Sequence, residues 1–326
     1  MNSIRPPSSA PIKRVLVILY SQTGQLTRIV DSILEPLRQD SGIDVHVEHL
    51  RPVTPFPFPW TFFSFLDVFP ESAHLVPPQM HSLALTGDED FDLVILPYQV
   101  WFLAPSQPMT GFLKGALAKK LLAGKPVVTV IGCRNMWLLA QEKMKDLLKA
   151  CGARLIDNVA LTDPSPTMVT LLTTPVWLLT GKRDLLSALP PAGVDDASVV
   201  AARRFGLALC DALHSDAERG AAPLLAGLAA VDVDARLLFS EKMATRSFAV
   251  WGKLLRAVGE PGQARRRPLL LLYVIFLVAI ILTIVPVSLV VQALLRPFLL
   301  GRFAALKRVY EAPSGSGRER MALYGR

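Results

Sequence analysis

Cysteine is scarce in this chain, and its histidines form no pattern. The three cysteines, Cys133, Cys151 and Cys210, stand at irregular spacing. That excludes a disulfide framework or a zinc site built from cysteine pairs. The five histidines have no metal-ligand spacing, and no metal is expected. The chain also lacks a Gly-Lys-Ser/Thr phosphate loop and a GxGxxG turn, which excludes the common nucleotide and dinucleotide sites. It has no helix-turn-helix, zinc-finger or RNP pattern, so its net charge of +8 is not assigned to nucleic acid. A secretory leader is missing as well. Val15–Tyr20, after Lys13 and Arg14, is too short for an apolar leader core and runs into a polar turn. The N-terminal domain is therefore expected in the cytoplasm, where free thiols persist.

Apolar residues, by contrast, make up 51% of the 326 positions. They concentrate after Pro268, with a smaller share in the aromatic run Phe56–Phe69. Basic residues flank the C-terminal apolar run: Arg265, Arg266 and Arg267 before it, Arg296, Arg302, Lys307 and Arg308 after it. That placement points to lipid headgroups. Pro268–Leu295 has 28 residues and no charge, more than the ~20 that a spanning helix needs. Pro286 within it is expected to kink or break a helix. A tilted, kinked single span is the first expectation, and a re-entrant hairpin broken near Pro286 is the alternative. Charge bias does not decide the topology, because both flanks are basic.

The rest of the chain alternates strand and helix signals. Val15–Tyr20, Leu93–Pro97 and Val127–Ile131 are continuous apolar runs, as expected of strands buried on both faces. Val45–Leu50 and Arg154–Val159 complete five strands. Leu26, Ile29, Val30, Ile33, Leu34 and Leu37 recur at helical spacing. Further helices are expected around Met109–Ala118, over Met136–Ala150 with Gly152 as its cap, and from Asp195 or Asp196 to about Leu213. Alternation of this kind implies an α/β, doubly wound, five-stranded parallel sheet. Its boundaries are a tail over 1–12, a domain over 13–215, a linker with an amphipathic helix over 216–262, a membrane segment over 263–300 and a basic tail over 301–326. Insertions at 51–89 and 161–194 interrupt the domain. Phe248, Trp251, Leu255 and Val258 form the apolar stripe of the amphipathic helix, which is expected to lie in the membrane interface.

Ligands in doubly wound folds sit beyond the carboxyl ends of the strands. Three loops lie there. The first, after the opening strand, holds Ser21, Gln22, Thr23, Gly24, Gln25 and Leu26. Backbone N–H groups, hydroxyls and a helix N-terminus at such a turn suit a phosphate without any lysine. The second holds Tyr98, Gln99, Val100, Trp101 and Phe102, and the indole of Trp101 offers a flat face for stacking. The third holds Gly132, Cys133, Arg134 and Asn135. Cys133 reads as a small filler, since no partner base is visible.

The first turn resembles the FMN-phosphate loop of flavodoxins, roughly Ser/Thr-x-Thr-Gly-x-Thr. Ser21, Thr23 and Gly24 match it, while Leu26 stands where the last threonine is usual. The resemblance covers about 13–215 and implies a flavodoxin-like sheet of order 2-1-3-4-5 with FMN as cofactor. The three loops would bind it, Trp101 stacking on the ring and Arg134 stabilising the reduced form. A second resemblance covers most of the chain. Gln99-Val-Trp-Phe-Leu, Cys133-Arg-Asn-Met-Trp137, the Phe/Pro/Trp insertion and Pro313-Ser-Gly-Ser-Gly-Arg-Glu-Arg320 are similar to bacterial dialkylresorcinol condensing enzymes. These accompany a ketosynthase in making dialkylresorcinol or aryl-polyene lipids. Condensation itself needs a cysteine with two basic partners, which this sequence does not supply. The resemblance implies instead an oxidoreductase that aromatises a cyclic dione. It would act on a hydrophobic, lipid-like substrate at the inner (cytoplasmic) membrane, with a ketosynthase as partner. Tyr98 and Arg134 are the candidate catalytic residues. A tethered electron carrier and a flavin-free scaffold are the alternatives.

Overall fold

The computed structural model describes residues 11–324, with the side chains of 284–300 and of Arg302 outside the description. The N-terminal tail therefore lies almost wholly outside the described residues. The chain opens with β1 (Lys13–Leu19), α1 (Gln25–Gln39) and β2 (Ile43–His49). The first insertion carries α2 (Phe62–Asp67) and α3 (Phe69–Ala73). Then come β3 (Leu93–Tyr98), a small hairpin of β4 (Val100–Trp101) and β5 (Ala104–Pro105), α4 (Gln107–Lys114) and α5 (Ala116–Leu122). They are followed by β6 (Pro126–Cys133), α6 (Leu138–Ala150), β7 (Arg154–Thr162), α7 (Thr167–Thr180), α8 (Asp196–Ala201) and α9 (Arg203–His214). The C-terminal part holds α10 (Leu237–Val258), α11 (Arg267–Glu311) and a last turn, α12 (Met321–Tyr324).

Five strands form one parallel sheet in the order β2-β1-β3-β6-β7, which is 2-1-3-4-5 once the separate hairpin is set aside. Side chains alternate along each strand. Val15, Val17 and Leu19 of β1 enter a core shared with α1 and α9, and Leu16 and Ile18 enter one shared with α4, α5 and α6. Both faces are thus covered, as a parallel sheet requires. α1 and α9 approach so closely that a Cβ on Gly206 would lie 1.9 Å from the carbonyl oxygen of Ile33.

The helix ends follow their chemistry. Asp195 caps α8, accepting the Ser198 N–H at 2.9 Å. Gly152 ends α6 at φ 71°, with N–H bonds from Gly152 to Lys149 and from Ala153 to Leu148. The single helix expected around Met109–Ala118 is two, because Gly115 is extended between α4 and α5. α6 begins at Leu138 and not at Met136, whose φ is 54°.

A third, mostly aromatic cluster joins the first insertion to the C-terminal helices. It holds Leu66, Phe69, Leu255, Leu270 and Tyr273, with Phe102, Phe248 and Trp251 packed against it. Of the stripe assigned to the interface, Phe248, Trp251 and Leu255 thus face inward, while Val258 is exposed. The outward face of α10 is a different set, Phe239, Met243, Val250 and Leu254. A second correction concerns Arg266. It is fully buried, pairing with Asp67 and Glu71 at 3.2 Å each, and cannot reach a headgroup. Burial holds the Glu71 carboxyl above the usual range in spite of that guanidinium.

Pro286 does not end α11, which runs unbroken from Arg267 to Glu311. The stretch Ala264–Thr283, a 3-10 turn followed by the start of α11, is long and apolar enough to cross a membrane. Beyond α11 the chain returns to the domain. Ser314 Oγ donates to Asp157 at 2.7 Å, Arg320 donates to the Leu224 carbonyl at 2.7 Å, and the Tyr324 hydroxyl donates to Asp211 at 2.7 Å.

Candidate functional site

The first loop leaves backbone donors free at a helix N-terminus. Gly24 takes φ 79°, which only glycine adopts freely, and α1 starts at the next residue with no side-chain cap. Ser21 Oγ accepts the Thr27 N–H and Thr23 Oγ1 accepts the Gln25 N–H, both at 3.4 Å. The N–H groups of Thr23, Gly24 and Leu26 have no acceptor among the described residues. Unpaired donors at a helix N-terminus favour a phosphate. A Cβ on Gly24 would meet nothing within 4 Å, so the space beside the turn is open. Leu26 does not face it: its side chain packs inward beneath Gly132. Gln25 is also buried, exchanging two amide bonds with Val194 at 3.1 Å each. Neither side chain is free to hold a phosphate, although both backbones are.

In the second loop Gln99 anchors the first, accepting the Gln22 N–H at 3.3 Å. Val100 and Trp101 then pair with Pro105 and Ala104 in the hairpin. The turn residues, Phe102 and Leu103, have φ of 49° and 59°. Non-glycine residues held there store ~1–3 kcal/mol of strain each, a feature that clusters at functional sites. Trp101 meets Tyr20, Phe56 and Trp60 at centroid distances of 6.0, 5.0 and 5.7 Å, each near edge-on. None is parallel to it, so the indole has no stacked partner among the described residues. Phe102 points away from it, into the aromatic cluster against Phe65 and Phe69.

Tyr98 requires a correction. It is fully buried, and its hydroxyl donates to Gln141 Oε1 at 2.6 Å. Gln141 in turn donates to Thr129. Burial raises the phenol well above its ordinary range, so Tyr98 is a core group and not a proton acceptor facing a ligand.

The third loop carries the charge. Arg134 is half-buried, donates to Thr170 Oγ1 at 3.3 Å, and has no carboxylate within 4 Å among the described residues. Burial lowers its pKa from the ordinary guanidinium value. A cation placed this way favours electron-rich ligands. Asn135 donates to Thr167 at 3.3 Å, while its buried Oδ1 has no partner. Burial pushes the Cys133 thiol up, which suits a filler and not a nucleophile.

The first and third loops are hydrogen-bonded to the insertions, and the Trp101 and Phe102 rings of the second pack against the first insertion, in line with the expectation that both insertions form an apolar pocket beside the site. Gln22 Nε2 donates to the carbonyls of Phe56 and Pro57. Trp60 donates its backbone N–H to Leu178 at 2.8 Å, so the two insertions also meet each other. Phe58 lies edge-on to Trp177 at 6.4 Å. The result is an apolar roof over the carboxyl ends of the strands. The aromatic run signalled Phe56 and Trp60, but nothing in the sequence signalled Thr167, Thr170 or Val194.

Strand order, crossover pattern and loop positions agree. The fold is flavodoxin-like. No protein-family model and no curated protein matches the chain. Among solved structures, it is similar to a flavoprotein in complex with FMN from Lactobacillus acidophilus, at 14% identity and a TM-score of 0.36, over 46% of this chain and 92% of that one. A flavodoxin from the domain Archaea matches at 13% and 0.31, over 62% and 99%. Oxidised Flavodoxin 1 from Bacillus cereus matches at 16% and 0.29, over 51% and 97%.

Proposed function

We propose that this protein is a membrane-associated, FMN-dependent oxidoreductase acting on an apolar cyclic substrate. The observation that carries this reading is the set of unpaired N–H groups at Thr23, Gly24 and Leu26, flanked by an unstacked Trp101 and an unpaired Arg134. The residues fit the cofactor. Ser21–Leu26 would hold its phosphate, Trp101 its ring, and the buried, partnerless Oδ1 of Asn135 would accept a ring N–H. Bound FMN would supply a two-electron acceptor. Arg134 would stabilise the charge that develops when the ring is reduced.

The similarity to dialkylresorcinol condensing enzymes suggests the substrate: a cyclic dione with two alkyl chains, which loses a hydride and a proton to become aromatic. The apolar roof, with Phe56, Trp60 and Trp177, supports this class by excluding water from the ring face. The exposed apolar surface of α11 supports delivery of such a substrate from a membrane. A ketosynthase would supply it. The test is anaerobic mixing of the flavin-loaded protein with a dialkylated cyclohexanedione. Bleaching of the visible flavin absorbance with formation of one phenolic product per flavin is expected. Bleaching by reduced nicotinamide or dithionite but never by the dione would favour the electron-carrier reading.

A further inference from the structure

Helix α10 lies outside the 13–215 stretch that resembles flavodoxins, yet it reaches two of the three loops. Its inward face runs through Glu241, Phe248, Gly252 and Leu255. Glu241 and Phe248 stand two turns apart, about 10 Å along the axis. Phe248 meets the second loop. Its ring lies edge-on to Phe102 at 6.0 Å, and Phe65 and Phe69 approach the same ring at 5.4 and 5.7 Å. Phe102 is the first turn residue of the hairpin, at φ 49°. A bulky residue stays in that region only where its surroundings over-determine it. The hairpin also carries Trp101, which pairs with Ala104 across the turn. Whatever holds Phe102 therefore holds the backbone that presents the indole.

Glu241 meets the chain just past the third loop. α6 starts at Leu138 after Trp137, which supplies no side-chain cap. The Glu241 carboxylate takes that place from another helix, accepting the Leu138 and Leu139 N–H groups. A carboxylate suits the positive end of a helix. Between this anchor and Asn135 stand only Met136, at φ 54°, and the buried Trp137. On the other flank the Asp163 N–H donates to the Cys133 and Arg134 carbonyls at 3.1 Å each. Arg134 and Asn135 are thus strung between two fixed points, one of them on α10. The first turn depends on other contacts: Gln22 bonds to Phe56 and Pro57, and Gln25 to Val194.

We propose that α10 completes the flavin site: Phe248 and Glu241 are positioning residues that set the two loops clasping the ring, while the phosphate turn is set by the domain and its insertions. This rests on the FMN reading above. Phe248 acts through Phe102 on Trp101, and Glu241 acts through the start of α6 on Arg134 and Asn135. Neither side chain touches the cofactor. The ring half of the site is therefore shared between the flavodoxin-like domain and the C-terminal helices, and the phosphate half is not.

The test titrates the full chain in detergent with FMN and with riboflavin, following fluorescence and the visible flavin bands. Phe248→Ala and Glu241→Gln should each weaken both flavins by about tenfold and shift the bands of bound FMN, with the preference for FMN over riboflavin kept. Phe248→Leu, which refills most of the space, should recover most of the loss. Gly24→Ala, in the phosphate turn, should do the opposite: lose the preference and keep the bands. Val250→Ser, on the exposed face of α10, should match wild type. If Phe248→Ala does not fold, Glu241→Gln and Phe248→Leu carry the test. Unchanged affinity and bands in folded α10 variants overturn the proposal and leave the FMN reading standing. So does a loss of the FMN preference in them, because α10 would then act on the whole site. A wild type that binds neither flavin overturns both.

Discussion

Glu241 on α10 gives a sharp test of how the C-terminal helices are joined to the domain. Its fully buried carboxylate accepts the N–H groups of Leu138 at 3.3 Å and Leu139 at 2.8 Å, where α6 begins just past the third loop. Burial raises its pKa from an ordinary value of 4.5 to about 7, although both N–H groups favour the charged form. A carboxyl raised in the folded state stabilises the fold fully below the unfolded value, and that contribution is lost as pH rises through the folded value. Between about pH 6 and pH 8 this one group weakens the fold by about 1 kcal/mol. Asp157, which burial raises to about 6, has already lost most of its contribution at pH 6 and changes less in the same window. Glu241→Gln keeps the shape and removes the titration, so most of the drop should disappear. For a chain of this size 1 kcal/mol is about 2 °C in Tm. Thermal unfolding of the detergent-purified protein at the two pH values reads this difference. An equal Tm drop in wild type and variant would refute the burial and charge state assigned to Glu241.

Three further outcomes are expected. Arg266→Met should destabilise by about 3–5 kcal/mol, because Asp67 loses its guanidinium partner and Glu71 keeps only Arg256, at 4.0 Å; adding Asp67→Asn and Glu71→Gln should restore most of it in the same melting assay. Gly206→Ala should lower stability by about 3 kcal/mol or more, since the new methyl collides with the backbone of Ile33 rather than with a movable side chain; a neutral result would place α9 farther from α1 than described. Trp101→Leu should weaken FMN binding about tenfold through lost stacking, with the melting temperature of the cofactor-free protein little changed. Fluorescence titration reads the first quantity, and unchanged affinity would remove Trp101 from the ring site.

The central strands β1, β3 and β6 were legible because each is a short apolar run bounded by polar or glycine turns. Burial on both faces made them legible and also hid their phase. Nothing along Leu93–Tyr98 says which side chains look inward, so Tyr98 read as a site residue although it lies in the core. The Val100–Pro105 hairpin was illegible for another reason. Its turn uses Phe102 and Leu103 at positive φ, where a glycine or asparagine would have been the signal. Arg266 read as a headgroup ligand because its two carboxylate partners stand some 195 residues away in sequence. The amphipathic stripe of α10 was correctly periodic. It faces the aromatic cluster because a second stripe, not noticed in the pattern, takes the exposed side. The roof over the strand ends depends on contacts such as Gln22 with Phe56 and Arg134 with Thr170, which are long-range and leave no local pattern.

The central claim is that the turn from Ser21 to Leu26 seats the phosphate of FMN. The direct measurement is titration of the cofactor-free full chain, in detergent, with FMN and with riboflavin, followed by flavin fluorescence. The account predicts saturable quenching at one FMN per chain, with riboflavin bound far more weakly because it lacks the group those N–H donors hold. Equal binding of the two flavins, or none of either, would contradict it.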